Sequence, residues 1–303
     1  MDGDLARTLK LIIGPQRLSI RAGLPCPMSL IDFILNIAGL LLWLNWRASA
    51  MPATRPPGMP MLTTIKAAGP SRPRFLQWAG LPVLLAVRAL FYWQVGPPVH
   101  WYPQIPLGPT ALSFRSDLVG RMFLFSILGF AASLGVCYLW LLFLSAVNGS
   151  AAEPDPIQRL VRSWLGRLDR WPRSVKLLLP LAVAALAWLA LHPLLIWLKL
   201  VPASACFRLL AQGVLIGLSA FLTLKYLLSA ILILYLLNSY VYVGEFALWT
   251  FVNTTARRLL LPWQKLPARL WKIDFSPVLT VILILFLSEF AQRGLIYLYR
   301  RLL

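Results

Sequence analysis

The chain has 303 residues, with 29 Lys plus Arg against 10 Asp plus Glu, and a formal net charge of +19. Hydrophobic residues make up 59% of the chain and charged residues 13%, whereas soluble domains contain roughly 45–50% apolar and about 25% charged residues. This composition excludes a water-soluble globule and an intrinsically disordered chain. Several apolar runs are long enough to cross a bilayer. The sequence therefore predicts an all-α, multi-pass integral membrane protein of a cell membrane.

The charge and cysteine patterns exclude other classes. The basic residues lie in short loops between apolar runs, where they act as topology signals, and no recognition module accompanies them, so we expect no nucleic-acid partner. Cys26, Cys137 and Cys206 give neither a disulfide framework nor the ligand spacing of a metal site. We therefore expect no metal and no cofactor.

Residues 1–27 are a poor match to a signal peptide, because basic residues surround a broken apolar stretch with no clean cleavage site. Met28 directly precedes the first strong apolar run. We expect Met28 to be the true start, with residues 1–27 a disordered or non-native N-terminal extension.

We predict about six transmembrane helices, within a range of five to seven. The candidate spans are 29–46, 75–93, 120–146, 177–198, 209–247 and 276–292. The first two would form an N-terminal region over 28–117.

The run 209–247 would be about 58 Å long as one helix, twice the apolar thickness of a bilayer. It is either a tight hairpin of two short spans or one span with an interfacial extension. The segments 47–74, 147–176 and 248–275 hold five, six and five Lys plus Arg. The positive-inside rule places all three on one side only if 209–247 crosses once, so we predict one crossing.

Two basic segments between spans have one apolar helical face. In 156–168 the apolar residues recur at helical spacing, and 248–260 repeats this pattern. Both segments are predicted to be amphipathic helices in the membrane interface. A Pro-punctuated basic stretch and another span follow each of them, which indicates an internal duplication of span, amphipathic helix and span. The two units would occupy 118–198 and 199–303.

The basic residues in these two segments and in the basic stretches directly after them are the predicted contacts for anionic lipid or protein partners. They are Arg159, Arg162, Arg167, Arg170, Arg257, Arg258, Lys265 and Arg269.

The second unit carries the motifs Asn253-Thr254-Thr255-Ala256-Arg257-Arg258-Leu259-Leu260-Leu261-Pro262 and Lys272-Ile273-Asp274-Phe275-Ser276-Pro277. With Lys225 in the apolar run before them, these motifs resemble the YggT family of small integral membrane proteins. The resemblance is weak before residue 117. In the first unit Arg173-Ser174-Val175-Lys176 stands where the Asp-Phe-Ser-Pro element would be.

The resemblance implies a bacterial inner-membrane-like or plastid envelope location. It also implies an indirect role in envelope or osmotic stress tolerance, or in the organisation of membrane complexes, with no enzymatic activity. Self-association or other membrane-protein partners are compatible with such a role.

Asp274, Ser276 and Pro277 are typical of a helix N-terminus, with partner binding as the alternative. Arg88, Lys225 and Glu289 are ionisable residues within apolar runs, where a charge must snorkel, pair or line a cavity. We expect Arg88 and Glu289 to snorkel, although they could pair with each other. We expect Lys225 to mark a loop or an interface, although a functional charge is possible.

Two functional hypotheses follow. The preferred one is a non-enzymatic membrane protein that acts through its basic interfacial helices. The alternative is a transporter or channel for ions or a small solute, with Lys225, Arg88 or Glu289 on its path.

Overall fold

The computed structural model describes residues 27–50, 74–99, 101–149, 156–198, 200–201, 205–240, 246–261, 269–270, 273–274 and 276–302. The chain divides into two compact bodies, Met1–Leu35 and Asn36–Leu303. The described part of the first body is the beginning of one helix. The predicted extension 1–27 lies outside the described residues except for Pro27.

The described residues are almost entirely helical. In chain order the helices are α1 (Pro27–Ala50), α2 (Arg74–Val95), α3 (Val119–Asn148), α4 (Pro156–Leu165), the 3₁₀ helix Gly166–Arg170, α5 (Arg173–Trp197), α6 (Cys206–Phe221), α7 (Leu224–Tyr240), α8 (Ala247–Leu260) and α9 (Ser276–Leu302). Two short strand pairs accompany them: β1 (Gln104–Pro106) with β2 (Ala111–Ser113), and β3 (Arg269–Leu270) with β4 (Ile273–Asp274).

Five helical segments are long and apolar enough to cross a membrane. They are Met28–Arg47, Val119–Asn148, Arg173–Trp197, Cys206–Ser239 and Ser276–Leu302. They confirm the prediction of an all-α, multi-pass membrane protein. The remaining predicted span, 75–93, falls on α2, whose apolar part Ala79–Val95 is shorter.

The α2 helix packs along α3. The Ser126 hydroxyl of α3 donates a hydrogen bond to the Leu85 carbonyl of α2 over 2.9 Å. A short apolar helix is therefore held against the 30-residue span α3 by a polar contact as well as by apolar packing.

The sequence analysis did not predict the β1–β2 hairpin. Gly108 adopts φ +77° at its turn, which glycine reaches without steric cost, and the Leu107 N–H donates to the Thr110 carbonyl over 2.8 Å. Ile105 and Leu112, cross-strand partners, are both buried. The hairpin therefore satisfies its own backbone while it contributes side chains to the core.

Both predicted units have the order span, short amphipathic helix, span. In the first unit α3 is followed by α4 and α5; in the second α7 is followed by α8 and α9. The α4 helix ends where Gly166 takes φ +58°, and the chain then turns through the 3₁₀ helix into Pro172, which precedes α5.

Within the described part of the predicted run, residues 209–240 continue in one direction through a local break rather than forming a hairpin. At Leu222 and Thr223 the backbone N–H groups donate to carbonyls three residues back, as in a 3₁₀ turn. The α9 helix packs antiparallel along both halves of the run. Leu298 lies with Leu215 of α6, and Val281 packs against Ile231 and Leu232 of α7.

The α5 and α6 helices approach closely at two glycines. A Cβ on Gly217 would lie 3.0 Å from the Leu181 carbonyl oxygen, and one on Gly213 would lie 3.1 Å from the Ala185 Cα. Backbone rather than flexible side chain therefore faces both glycines, and small residues of this kind allow membrane helices to pack tightly.

We expect Gly217→Leu to lower the free energy of unfolding of the detergent-solubilised protein by about 1–3 kcal/mol, because the new side chain must displace the α5 backbone. The melting temperature should fall accordingly. The matched control is Gly294→Leu, since a Cβ on Gly294 meets nothing within 4 Å. Melting followed by size-exclusion chromatography measures both variants. Equal melting temperatures for the two variants would contradict the close packing of α5 and α6.

Candidate functional site

The C-terminal end of α3 is the meeting point of the two amphipathic helices. The last carbonyls of a helix have no partner within it. The Gln158 side chain of α4 donates from Nε2 to the Asn148 carbonyl. From α8, the Arg258 guanidinium donates to the Val147 carbonyl over 3.2 Å. The Asn148 side chain donates to the Thr255 hydroxyl over 2.9 Å. Side chains from both units therefore cap the same helix.

An ionic cluster holds the first unit together beside this cap. The Lys176 Nζ at the start of α5 lies 3.3 Å from Asp169 Oδ1 and 2.8 Å from Ser145 Oγ. Ser145 also donates to Asp169, and Arg162 Nε lies 3.7 Å from the other Asp169 oxygen. Lys176 is only 5% exposed, so its charge depends on Asp169 for compensation. We call these four residues the Asp169 cluster.

The apolar faces of both amphipathic helices are packed as their spacing predicts. Val161 and Leu165 of α4 pack with Leu141 and Leu142 of α3. In the second unit, Val252, Ala256 and Leu260 of α8 pack with Ile231 and Leu232 of α7. Burial of these side chains, at roughly 25 cal/mol per Å² of apolar area, favours the docked position of each helix.

The end of α1 reaches the same region. The Arg47 Nε donates to the Trp164 carbonyl near the end of α4 over 2.7 Å, and Trp43 donates from its indole to the Tyr138 hydroxyl over 3.2 Å. Among the described helices of the larger body, Asn36–Leu303, one end therefore contains both amphipathic helices together with the ends of α1 and α3.

The predicted basic contacts have two different roles. Arg159, Arg167, Arg170 and Arg257 are exposed at this end of the molecule. Arg162 and Arg258 instead bind Asp169 and the end of α3. Arg162 and Arg258 therefore help to hold the helices in place, and the lipid or partner contact of the basic residues stays a prediction.

Of the two remaining predicted contacts, Lys265 and Arg269, the structure describes no side chain. Lys265 lies outside the described residues. For Arg269 only the backbone is described, and it pairs with Asp274 between β3 and β4. We define the basic surface as the four exposed arginines, Arg159, Arg167, Arg170 and Arg257.

The polar residues that organise this end were not predicted from the sequence. Gln158 and Thr255 sit within the amphipathic segments, and Asp169 directly follows the first of them, where a polar residue ordinarily faces water. The only available signal was the acidic residue Asp169 within a strongly basic segment, because an isolated carboxylate among cations is typically paired. Nothing in the sequence indicates that the Asn148 side chain reaches Thr255, 107 residues away.

The predicted helix N-terminus at Ser276 and Pro277 is present. The α9 helix begins at Ser276, and Pro277 occupies its first turn, where a missing N–H costs nothing. Asp274 lies in β4, and its side chain is outside the described part, so its capping role stays a prediction.

Arg88 does not snorkel. It is 1% exposed, and its guanidinium donates to the Asn36 side chain over 2.8 Å and to the Tyr92 hydroxyl over 3.2 Å. Its Cζ also lies 5.9 Å from the Phe125 ring centroid. Residues of α1, α2 and α3 thus surround Arg88, and its role is to join these helices.

Glu289 lies farther from a helix end than predicted. The α9 helix extends to Leu302 rather than ending near 292, so Glu289 lies well inside it. Its carboxylate pairs with Arg293 Nε one turn later, at 3.1 Å. The predicted alternative of a pair between Glu289 and Arg88 is therefore wrong, because each binds other residues.

Lys225 lies directly after the break between α6 and α7 and lines a cavity of ≈ 710 Å³ between α3, α5 and α6. Its Nζ lies 5.2 Å from the Tyr226 ring centroid. A turn at Leu222 and Thr223 lies directly before Lys225, close to the predicted loop, and the interfacial position stays a prediction.

No protein-family model, curated protein or solved structure matches the chain. Among the described residues, no group of three or more His, Cys, Asp or Glu side chains could hold a metal ion. The function must therefore be argued from the geometry of the chain itself.

We expect Lys176→Met to lower the free energy of unfolding by about 2–3 kcal/mol, because the change leaves Asp169 partly buried without its closest cation. Unfolding in mixed detergent and dodecyl sulfate micelles measures the change. The control is Arg167→Met, which removes an exposed charge from the adjacent 3₁₀ helix and is expected to shift stability by less than about 0.5 kcal/mol. Equal effects of the two substitutions would show that the Asp169 cluster contributes no stability.

Proposed function

We propose that this protein is a non-enzymatic, multi-pass membrane protein similar to the YggT family. It organises anionic lipid or membrane-protein complexes through its basic surface. One observation carries the proposal: α4 and α8 dock on the same end of α3, through Gln158, Thr255 and Arg258. The cationic residues of both units consequently face one side.

The chemistry of the basic surface suits an anionic membrane. Each Lys or Arg near an anionic leaflet contributes about 1 kcal/mol of attraction at physiological salt. Exposed apolar residues on the same helices, Leu160 at 43% and Leu248 at 49% exposure, suit the boundary between headgroups and acyl chains.

The positive-inside rule places this side in the cytoplasm. By resemblance, the membrane is a bacterial inner-membrane-like cell membrane or a plastid envelope. The role proposed there is indirect, in envelope or osmotic stress tolerance or in the assembly of membrane complexes. Self-association is one form that such organisation could take.

A second candidate is transport of an ion or small solute. The observation in its favour is that Lys225 lines a cavity within the helices. Arg88 and Glu289 offer this hypothesis no support, because Arg88 binds Asn36 and Tyr92 and Glu289 binds Arg293.

The test of the basic surface is a fourfold variant in which Arg159, Arg167, Arg170 and Arg257 become Gln. We expect it to lose most of its selectivity for phosphatidylglycerol over phosphatidylcholine, because up to about 4 kcal/mol of summed attraction is removed. Energy transfer from protein tryptophan to labelled lipids in mixed bilayers measures the selectivity. High salt should reduce the selectivity of the unaltered protein in the same direction.

The matched control replaces four exposed arginines elsewhere, Arg115, Arg208, Arg300 and Arg301, which lie at the opposite ends of their spans. This variant has the same net charge as the first and should keep the selectivity for phosphatidylglycerol on the cytoplasmic side. Equal loss in the two variants would mean that total charge, rather than the basic surface, determines lipid binding.

A further inference from the structure

The cavity beside Lys225 has the size and lining of a small-ligand site. Its volume of ≈ 710 Å³ lies within the roughly 300–1,000 Å³ typical of small-ligand sites. Apolar residues of α3 and α5, among them Leu139, Val183 and Leu191, form most of its wall. The lining therefore suits an apolar body rather than a hydrated ion.

The β1–β2 hairpin closes part of this cavity. Its turn residues Leu107 and Gly108 line the cavity, and the Ser219 hydroxyl of α6 lies 3.3 Å from the Leu107 carbonyl oxygen. A Cβ on Gly108 would lie 1.9 Å from Ser219 Oγ, so only glycine allows this contact. The hairpin is thus fitted closely to α6 at the cavity wall.

Lys225, which is half-buried, contributes a cation to this apolar wall. Leu215 lies with Leu298, and Leu232 packs near Val281, so the intervening Lys225 lies alongside the middle of α9. Gln292 of α9 lines the same cavity. Lys225 is therefore far from either end of the spans that surround it.

No carboxylate among the described residues lies within ion-pair distance of Lys225, and no described side chain accepts a hydrogen bond from it. An ammonium group in such surroundings is costly unless it meets an anion or water. The Lys225 Nζ lies 5.2 Å from the centroid of the Tyr226 ring, and such a cation–π contact compensates only part of that cost.

We propose that this cavity binds a long-chain carboxylate, with its hydrocarbon chain among the apolar residues of α3 and α5 and its carboxylate on Lys225. An anionic acceptor compensates the lysine, which neither a neutral lipid nor a cation would do. A single acyl chain suits an apolar space of this size, and the carboxylate is the smallest anionic group that such a chain carries. The proposal uses none of the basic-surface residues and is independent of that surface.

The test uses a hexadecanoic acid that carries a photoactivatable diazirine, and the corresponding hexadecanol, with the full-length protein in phosphatidylcholine nanodiscs. Mass spectrometry locates the cross-links, and competition with unlabelled oleate gives the apparent affinity. The variants are Lys225→Met, Lys225→Arg and Ala184→Phe, where Ala184 lies in the cavity wall. Arg208→Met and Ala190→Phe are the controls, because both residues are exposed and Ala190 is on the same helix as Ala184.

We expect the acid to cross-link to cavity residues of α3 and α5. Lys225→Met should weaken acid binding by about tenfold or more, the loss typical of a charged hydrogen bond, with little effect on the alcohol. Lys225→Arg should retain acid binding, and Ala184→Phe should weaken both probes. The two controls should behave as the unaltered protein.

Three outcomes would overturn the proposal. The first is equal binding of acid and alcohol by the unaltered protein. The second is full acid binding in both Lys225→Met and Ala184→Phe. The third is displacement of the acid by phosphatidylglycerol as effective as that by oleate, which would show that the cavity takes an ordinary membrane lipid. Should Lys225→Met fail to fold, the Lys225→Arg and Ala184→Phe pair still decides between these results.

Discussion

The end of α3 is the constraint on which the rest of the arrangement depends. A span that ends in or near a bilayer leaves carbonyl groups without helix partners, and lipid cannot satisfy them. Here the donors are Gln158 of α4 and Arg258 of α8. Because one donor comes from each unit, satisfying α3 requires both amphipathic helices to dock at the same place.

This constraint separates the basic residues into two groups. Arg162, Lys176 and Arg258 bind a carboxylate or carbonyl within the protein, and their geometry positions the amphipathic helices. The four arginines of the basic surface then face outward from helices that are already held in place. A surface fixed in this way presents its charges to a membrane at little further entropic cost.

Sequence reasoning located most of the helices because the signals for them are strong. Apolar runs longer than about 18 residues identify spans, and helical spacing identified α4 and α8. Helix ends were less well defined. The α9 helix continues ten residues beyond 292, to Leu302, and this end was missed because Gln292 and Arg293 interrupt the apolar run. The β1–β2 hairpin was missed because its three-residue strands are too short to show an alternating pattern.

The contacts of the charged residues could not be predicted. The fate of Arg88 depends on Asn36, which is 52 residues away in the sequence, and that of Lys225 depends on a cavity made by three other elements. The sequence shows that a charge at Arg88 or Lys225 is energetically costly among apolar residues. Only the fold shows which residues surround each charge.

The common position of the two amphipathic helices is the central claim, and its most direct test is thiol accessibility in intact cells. Single cysteines at Ser163 of α4, Thr254 of α8 and Ser113 of β2 would be introduced into a chain in which Cys26, Cys137 and Cys206 are replaced by serine. All three substitutions leave the charge unchanged. With the basic surface in the cytoplasm, as proposed, a membrane-impermeant reagent should label positions 163 and 254 only after permeabilisation and position 113 without it. Labelling of positions 163 and 254 from opposite sides of the membrane would contradict the account.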